Sequence, residues 1–245
     1  MHYLYTTFIY HPLYNGLILL GDLLPFLDAG ILIIIFTIIV KLILFPLSKK
    51  AVRTQATMKL VEPELRAIKE KFKDNKQAQA VETMKLYKEK QINPFSSIFL
   101  LLIQLPIIFA LYKVFSASNF SAVNTDILYS FVKVPEHIST MFLGLIDVTQ
   151  KSFILAILAA ISQYFQIKFS APNLPPKSEN GSFQDDFARN MHVQMKYVFP
   201  IMILFISYNV AAALAIYWVT SNLFMIGQEL YIRKQMARER LAAGK

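Results

Sequence analysis

Apolar and polar positions along the chain fall into two regimes. Long, mostly apolar runs occupy residues 29–47, 94–115 and 152–169. Each is close to the roughly 20 residues that carry a helix across a bilayer. A further run, from Tyr197 to about Gly227, is too long for one upright span. It is either one steeply tilted helix or two spans joined by a tight turn. The second regime is periodic. Ahead of the first run, Leu13, Leu17, Leu20, Leu24 and Leu27 form a helical stripe interrupted by Gly21 and Pro25. The stripe is too short to span and predicts a helix lying in the membrane interface. Between the first two runs, Val61, Leu65, Ile68 and Phe72 recur at helical spacing, Lys73, Asp74 and Asn75 break the pattern, and Ala80, Met84 and Tyr87 resume it. That predicts two antiparallel amphipathic helices, with Pro63 bending the first or marking where it restarts.

Composition agrees with the long runs. Of 245 residues, 55% are hydrophobic and only 17% charged, with a mean hydropathy of +0.43, which is the balance of a polytopic helical membrane protein. The net charge of +9 then matters for where it lies. Residues 48–93 hold twelve Lys and Arg, residues 168–196 hold four and residues 233–245 hold five, whereas residues 1–28 hold none and residues 116–150 only Lys133. Basic loops stay in the cytoplasm, so an even number of spans must separate residues 168–196 from the tail. The long run is therefore two spans that turn near Tyr208, Asn209 and Val210.

The expected fold class is all-α, a membrane protein of five transmembrane helices with its N-terminus outside and its C-terminus inside. Its order is an extracytoplasmic segment (1–28), span one (29–47), a cytoplasmic helical hairpin (48–93), span two (94–115), an extracytoplasmic loop (116–151), span three (152–169), a cytoplasmic loop (170–196), spans four (197–212) and five (213–232) and a basic tail (233–245). Mixed charges on the hairpin, six acids among twelve bases, without interleaved aromatics, argue against sequence-specific nucleic-acid binding. They suit a solvated hairpin near anionic lipid, or a docking surface for a partner through Arg53, Lys59, Arg66, Lys69, Asp74 and Lys76.

Candidate chemistry lies inside the spans. Lys41 interrupts the first run, about seven residues from the basic cluster at Lys49, near enough for its amine to reach toward the headgroups. Other polar residues keep it company: Thr37 one turn away on the same face, Gln104 before Pro106, Gln163 and Gln166 in span three, and Ser221, Asn222 and Gln228 in span five. Amides on several helices act as interhelical hydrogen-bond donors and acceptors, or together line a hydrated interior surface. The spans place no Asp or Glu at membrane depth, Glu229 falling at the cytoplasmic edge. That argues against a proton or cation transporter, and no Ser-His, paired-Asp or metal constellation suggests an enzyme. No cysteine is present, and His2, His11, His137 and His192 are scattered, so no metal or other cofactor is expected. The surface suits a polar or acidic group supplied by another molecule.

The order FTIIVKLILFPLSK, a charged hairpin ending KEKQINPFSSIFLLLIQLPIIFALYKV, and YWVTSNLFMIGQ before a basic tail resembles the YidC/Oxa/Alb family of membrane protein insertases, from about residue 10 to 235. The resemblance implies a five-helix core around a hydrophilic groove, open to the cytoplasm and to lipid and closed toward the outside. Lys41 takes the place of the family's groove cation, usually arginine; Thr37, Gln104, Gln163, Tyr217 and Trp218, with Ser221 and Asn222, fall on or beside the groove, and Leu105 and Pro106 on the substrate path. The implied activity is insertion and folding of nascent membrane proteins without nucleotide hydrolysis or a small-molecule substrate, in the bacterial cell membrane. Lipids, the ribosome and a Sec-type translocon are the implied further partners. Lysine in place of arginine keeps the charge but loses the bidentate fork, and SYNVAAALAIYW lacks the Pro or Gly often found between the last two spans. An assembly chaperone or a small-solute transporter are the alternatives; the second should show inverted repeats and coupling-ion carboxylates, and neither is visible.

Overall fold

The computed structural model describes residues 2–92, 106–114, 123–170, 190 and 193–242. They are mostly helical, in the architecture of an all-α membrane protein. In chain order the helices are α1 (His2–Tyr5), α2 (His11–Leu23), α3 (Ala29–Ile43), α4 (Phe45–Leu60), α5 (Glu62–Lys71), α6 (Lys76–Glu89), α7 (Phe153–Ser170), α8 (Phe199–Asn209) and α9 (Ala212–Ala242), with a further helical stretch at 106–114. Among the described residues, α7 alone is long and apolar enough to cross a membrane by itself; α3 and α4 meet the same criterion as a pair bent by 70°.

Local chemistry sets most helix ends. Asp28 caps α3 by accepting the Ile31 N–H at 2.9 Å. The bend at Leu44 follows from Pro46 in the first turn of α4, which lacks an N–H and crowds the preceding turn. Pro63 likewise sits in the first turn of α5, and Asn75 caps α6 by accepting the Ala78 N–H at 3.0 Å. Beyond the bend, α4 runs along the C-terminal half of α9, where Val52 and Ala56 pack on Ile232 and Met236.

The main core lies at one end of the bundle. Tyr14, Leu17 and Ile18 of α2, Leu32, Ile33 and Phe36 of α3, Leu111, Leu155 and Ala159 of α7, Ile203 of α8 and residues 212–217 of α9 form one buried cluster. A β-hairpin covers that end. Its strands β1 (Met141–Phe142) and β2 (Ile146–Asp147) pair antiparallel, with Phe142 opposite Ile146. Its loop puts Leu143 (φ 52°) and Gly144 (φ 70°) in the left-handed region; for Leu143 this is costly, and Asp28 holds it by accepting its N–H at 3.1 Å. The Ala29 N–H donates to the Ser139 carbonyl at 2.8 Å, and Phe142 lies directly over Gly30. Asn15, also buried, binds α2 to the same loop by donating to the Ile127 carbonyl (2.9 Å) and accepting the Tyr129 N–H (2.6 Å).

The turn between α8 and α9 has no Pro or Gly. Its register is held from outside: the first two N–H groups of α9, on Ala212 and Ala213, donate to the carbonyls of Gln150 (2.8 Å) and Val148 (2.9 Å). A helix start leaves such donors without intrahelical partners, and here the loop just before α7 receives them.

The inner face of the helical hairpin differs from the sequence expectation at α6. Val61, Leu65 and Ile68 pack as expected, but on α6 the buried residue is Leu86, joined by Tyr87 and Ile92, while Ala80 and Met84 are exposed. The C-terminal end of α6 meets α5, where Lys90 and Glu64 pair at 3.1 Å, while Ala80 and Met84 toward its N-terminus stay uncovered.

Candidate functional site

Three helices start at the capped end and run the same way: α3, α7 and α9. Each changes character at the same depth. On α3 the buried residues pass from Leu32, Ile33 and Phe36 to Thr37; on α7 from Leu155 and Ala159 to Ser162, Gln163 and Gln166; on α9 from residues 212–217 to Ser221, Asn222, Gln228 and Glu229. The change falls eight, nine and nine residues from the three helix starts (29 to 37, 153 to 162, 212 to 221). At 1.5 Å per residue that is one level, roughly 12–14 Å below the cap. The bundle therefore has an apolar half under the β-hairpin and a half with a polar interior, and this polar half is the candidate site.

Within it the side chains bond in two ways. Asn222 donates to the Ser162 hydroxyl at 3.0 Å, tying α9 to α7, and Ser162 in turn donates to the Ala159 carbonyl at 2.8 Å. Deeper, Gln228 donates to the Ser48 hydroxyl at 2.7 Å, tying α9 to α4. Three other predicted polar residues, Thr37, Gln163 and Gln166, bond within their own helices. Thr37, 1% exposed, donates to the Ile33 carbonyl at 2.6 Å, and Gln163 donates to Gln166 at 3.1 Å. Buried hydroxyls and amides carry a cost unless bonded, and these are bonded.

Lys41 is half-buried, one turn beyond Thr37 on the same helix face and in the last turn of α3. A cation there is stabilised by the negative end of the helix dipole, so the break at Leu44 itself favours a charge at this depth. Tyr217 is buried in the apolar cluster and Trp218 packs against it, at the boundary of the two halves and not among the polar residues. Ser221 is buried one residue before Asn222. Pro106 begins the helical stretch at 106–114, half-buried; Gln104 and Leu105 lie outside the described residues. Ser162 was missed from sequence; its only signal is its place beside Gln163 in an otherwise apolar run. Among the described residues no three His, Asp or Glu converge as a metal site.

The hairpin residues divide. Arg53 pairs with Glu239 of α9, Lys59 donates to the Phe169 carbonyl at the end of α7, and Arg66 pairs with Glu62 one turn earlier. Asp74 and Lys76 are exposed at the tip, and Lys69 is half-buried on α5.

A family model described as 60Kd inner membrane protein matches residues 22–239, nearly the whole chain. The chain belongs to that family. It is the YidC/Oxa/Alb family that the sequence resembles, and it places the chain among bacterial inner membrane proteins. A protein of Clostridium tetani named membrane protein insertase YidC is 38% identical over 210 residues, covering 86% of this chain and 84% of that one. Proteins of the same name from Fusobacterium nucleatum and Clostridium acetobutylicum are each 34% identical over 210 residues, covering 86% and 83% of this chain and 88% and 72% of theirs.

Proposed function

We propose that the chain is a membrane protein insertase that passes short polar segments of nascent membrane proteins through a cationic, hydrophilic intramembrane groove. In this reading it crosses the membrane five times, N-terminus outside, with the β-hairpin end facing out and α4–α6 in the cytoplasm. The observation that carries it is the common depth at which α3, α7 and α9 change from apolar to polar buried residues. An apolar, capped half resists leakage, and a polar half open to the other side shortens the apolar distance that a client must cross. The names of the relatives support the same activity.

The physical gain follows from the cost it avoids. A charged side chain at the bilayer centre costs about 2.5–3.5 kcal/mol on insertion scales. A client segment held in the polar half travels only the capped half in a low-dielectric environment. Lys41, at the boundary, attracts acidic residues of that segment by about 2 kcal/mol for charges about 8 Å apart at an effective dielectric constant of about 20. The client's own apolar helix drives release into lipid, at about 25 cal/mol per Å² buried, so the process runs without nucleotide hydrolysis and the chain is not an enzyme. The ribosome and a Sec-type translocon, which share the cytoplasmic face with α5 and α6, are partners in the same proposal.

The test is insertion of a client with an acidic N-terminal tail into liposomes holding only the purified protein. Lys41→Ala should slow insertion up to about 30-fold, the rate equivalent of that attraction, while Lys41→Arg keeps it. Equal rates for Lys41→Ala and the parent would show that the charge serves the end of α3 and not the client.

A further inference from the structure

At the charged end of the bundle, α4 and α9 diverge around a cleft of about 210 Å³ lined by Ala56, Lys59, Leu60, Arg233, Met236 and Ala237. The two cations are drawn together by one acceptor. Lys59 and Arg233 both donate to the Phe169 carbonyl, Arg233 at 2.7 Å. Arg233 also pairs through its Nε with Glu229 (2.8 Å), which is 1% exposed. The carboxylates of Glu229 and Glu62 lie close enough to Lys59 to favour its charge. Two cations against one buried carboxylate leave an excess positive charge at the cleft, and after these bonds both side chains retain N–H donors. The crowding is costly: loss of solvent, with the Arg233 guanidinium alongside, lowers the Lys59 ammonium from 10.5 to about 8. An anion in the cleft would relieve it.

The walls narrow the choice of anion. Ala56, Leu60, Met236 and Ala237 are apolar, which a small hydrated ion does not need. Phe169 stands at the C-terminal end of α7, among the described residues the one helix both long and apolar enough to span by itself, so the cleft lies where a bilayer crossed by α7 has its headgroups. Basic pockets between helices at the cytoplasmic face are suited to anionic headgroups, and the inner leaflet supplies them.

We propose that the cleft between α4 and α9 binds one anionic phospholipid of the inner leaflet, its phosphate on Lys59 and Arg233 and its glycerol and first methylenes against Leu60 and Met236. Bound there, the lipid bridges the base of the helical hairpin to the ends of α7 and α9. The proposal rests on the membrane orientation given above, but its test does not, because binding is read in detergent.

The full chain is purified and titrated with phosphatidylglycerol or phosphatidylcholine of the same acyl chains, and lipid adducts are counted by native mass spectrometry. Phosphatidylglycerol should bind about 25-fold more tightly, near fivefold per cation. Lys59→Gln should reduce that preference about fivefold and Lys59→Gln/Arg233→Gln should abolish it, while Lys73→Gln, the same charge change at the exposed hairpin tip, leaves it intact. Leu60→Asn should weaken phosphatidylglycerol without loss of fold, and inorganic phosphate should compete only weakly. Equal binding of the two lipids, an equal effect of Lys73→Gln and Lys59→Gln, or displacement by phosphate at the lipid's own concentration would each overturn the proposal. If Arg233→Gln fails to fold, Lys59→Gln and Leu60→Asn still decide the question. Insertase activity, assayed separately with the acidic-tailed client, keeps failure of this site distinct from failure of the proposed function.

Discussion

Gly30 is the point where the β-hairpin presses hardest on the bundle, and Gly30→Ala is the sharpest test of the cap. A Cβ at this position would stand 2.5 Å from Phe142 Cγ and 2.8 Å from Phe142 Cβ, with the ring closer still. Ordinary carbon contacts begin near 3.5 Å. Turning the ring to another rotamer cannot relieve the contact with Phe142 Cβ, so β1 itself must move by about 0.7 Å or more. That strand is not free to drift. The Ala29 N–H is bonded to Ser139, the Leu143 N–H to Asp28, and the Ala212 and Ala213 N–H groups to Gln150 and Val148. Overpacking against such constraints costs about 1–3 kcal/mol. Thermal unfolding in detergent should show a melting temperature lower by about 2–12 °C, at about 2–4 °C per kcal/mol for a chain of this size. Phe142→Ala removes the ring contacts but keeps the 2.8 Å contact at Cβ, so Gly30→Ala should cost less in the Phe142→Ala background than in the parent, a coupling of about 0.5 kcal/mol or more. The chain has no cysteine, so a single Thr37→Cys reports access to the buried layer below the cap. It should resist a membrane-impermeant thiol reagent added from outside, and react when Gly30→Ala is added. An unchanged melting temperature, or strict additivity of Gly30→Ala and Phe142→Ala, would refute the reasoning.

Two more predictions concern the polar half. Asn222→Ala and Ser162→Ala should each destabilise by about 0.6–1.7 kcal/mol, the range for interhelical hydrogen bonds in membranes. The double variant should cost less than their sum, read by unfolding in detergent, because each removes the same bond. Lys59 gives a pH signature. Its folded value, about 8, lies below its usual 10.5, so between those limits the unfolded chain binds more protons. The penalty is complete below pH 8 and is relieved as pH rises toward 10.5, so the contribution of Lys59 makes stability rise with pH across that window. Lys59→Gln should flatten the rise, as measured by melting temperature against pH.

Some of this molecule could be read locally. Proline lacks an N–H wherever it stands, so Pro63 announced a restart, and the structure puts it in the first turn of α5. Val61, Leu65 and Ile68 face inward because helical periodicity is set by neighbours three and four residues away. The same rule misread α6, where Ala80 and Met84 have the right spacing and no surface opposite them. Periodicity states which face is apolar; only packing states whether that face is covered. Pro46 showed the same limit, since residues 29–47 read as one run, while in the structure the chain bends by 70° and lays α4 along α9.

By itself, then, the sequence determined the helical, membrane-borne character, the family, and which polar residues lie inside apolar runs, because hydropathy, helix propensity and charge are properties of short segments. The tertiary structure decided which of those residues meet. Asn222 reaches Ser162 across 60 residues of chain and Gln228 reaches Ser48 across 180. Lys59 and Arg233 converge on one carbonyl of α7. The start of α9 is set by Gln150 and Val148, without Pro or Gly. These are bonds between segments distant in sequence, and no local pattern specifies them. They follow only when the helices have packed to a common depth and the groups left without partners at their ends have found one another.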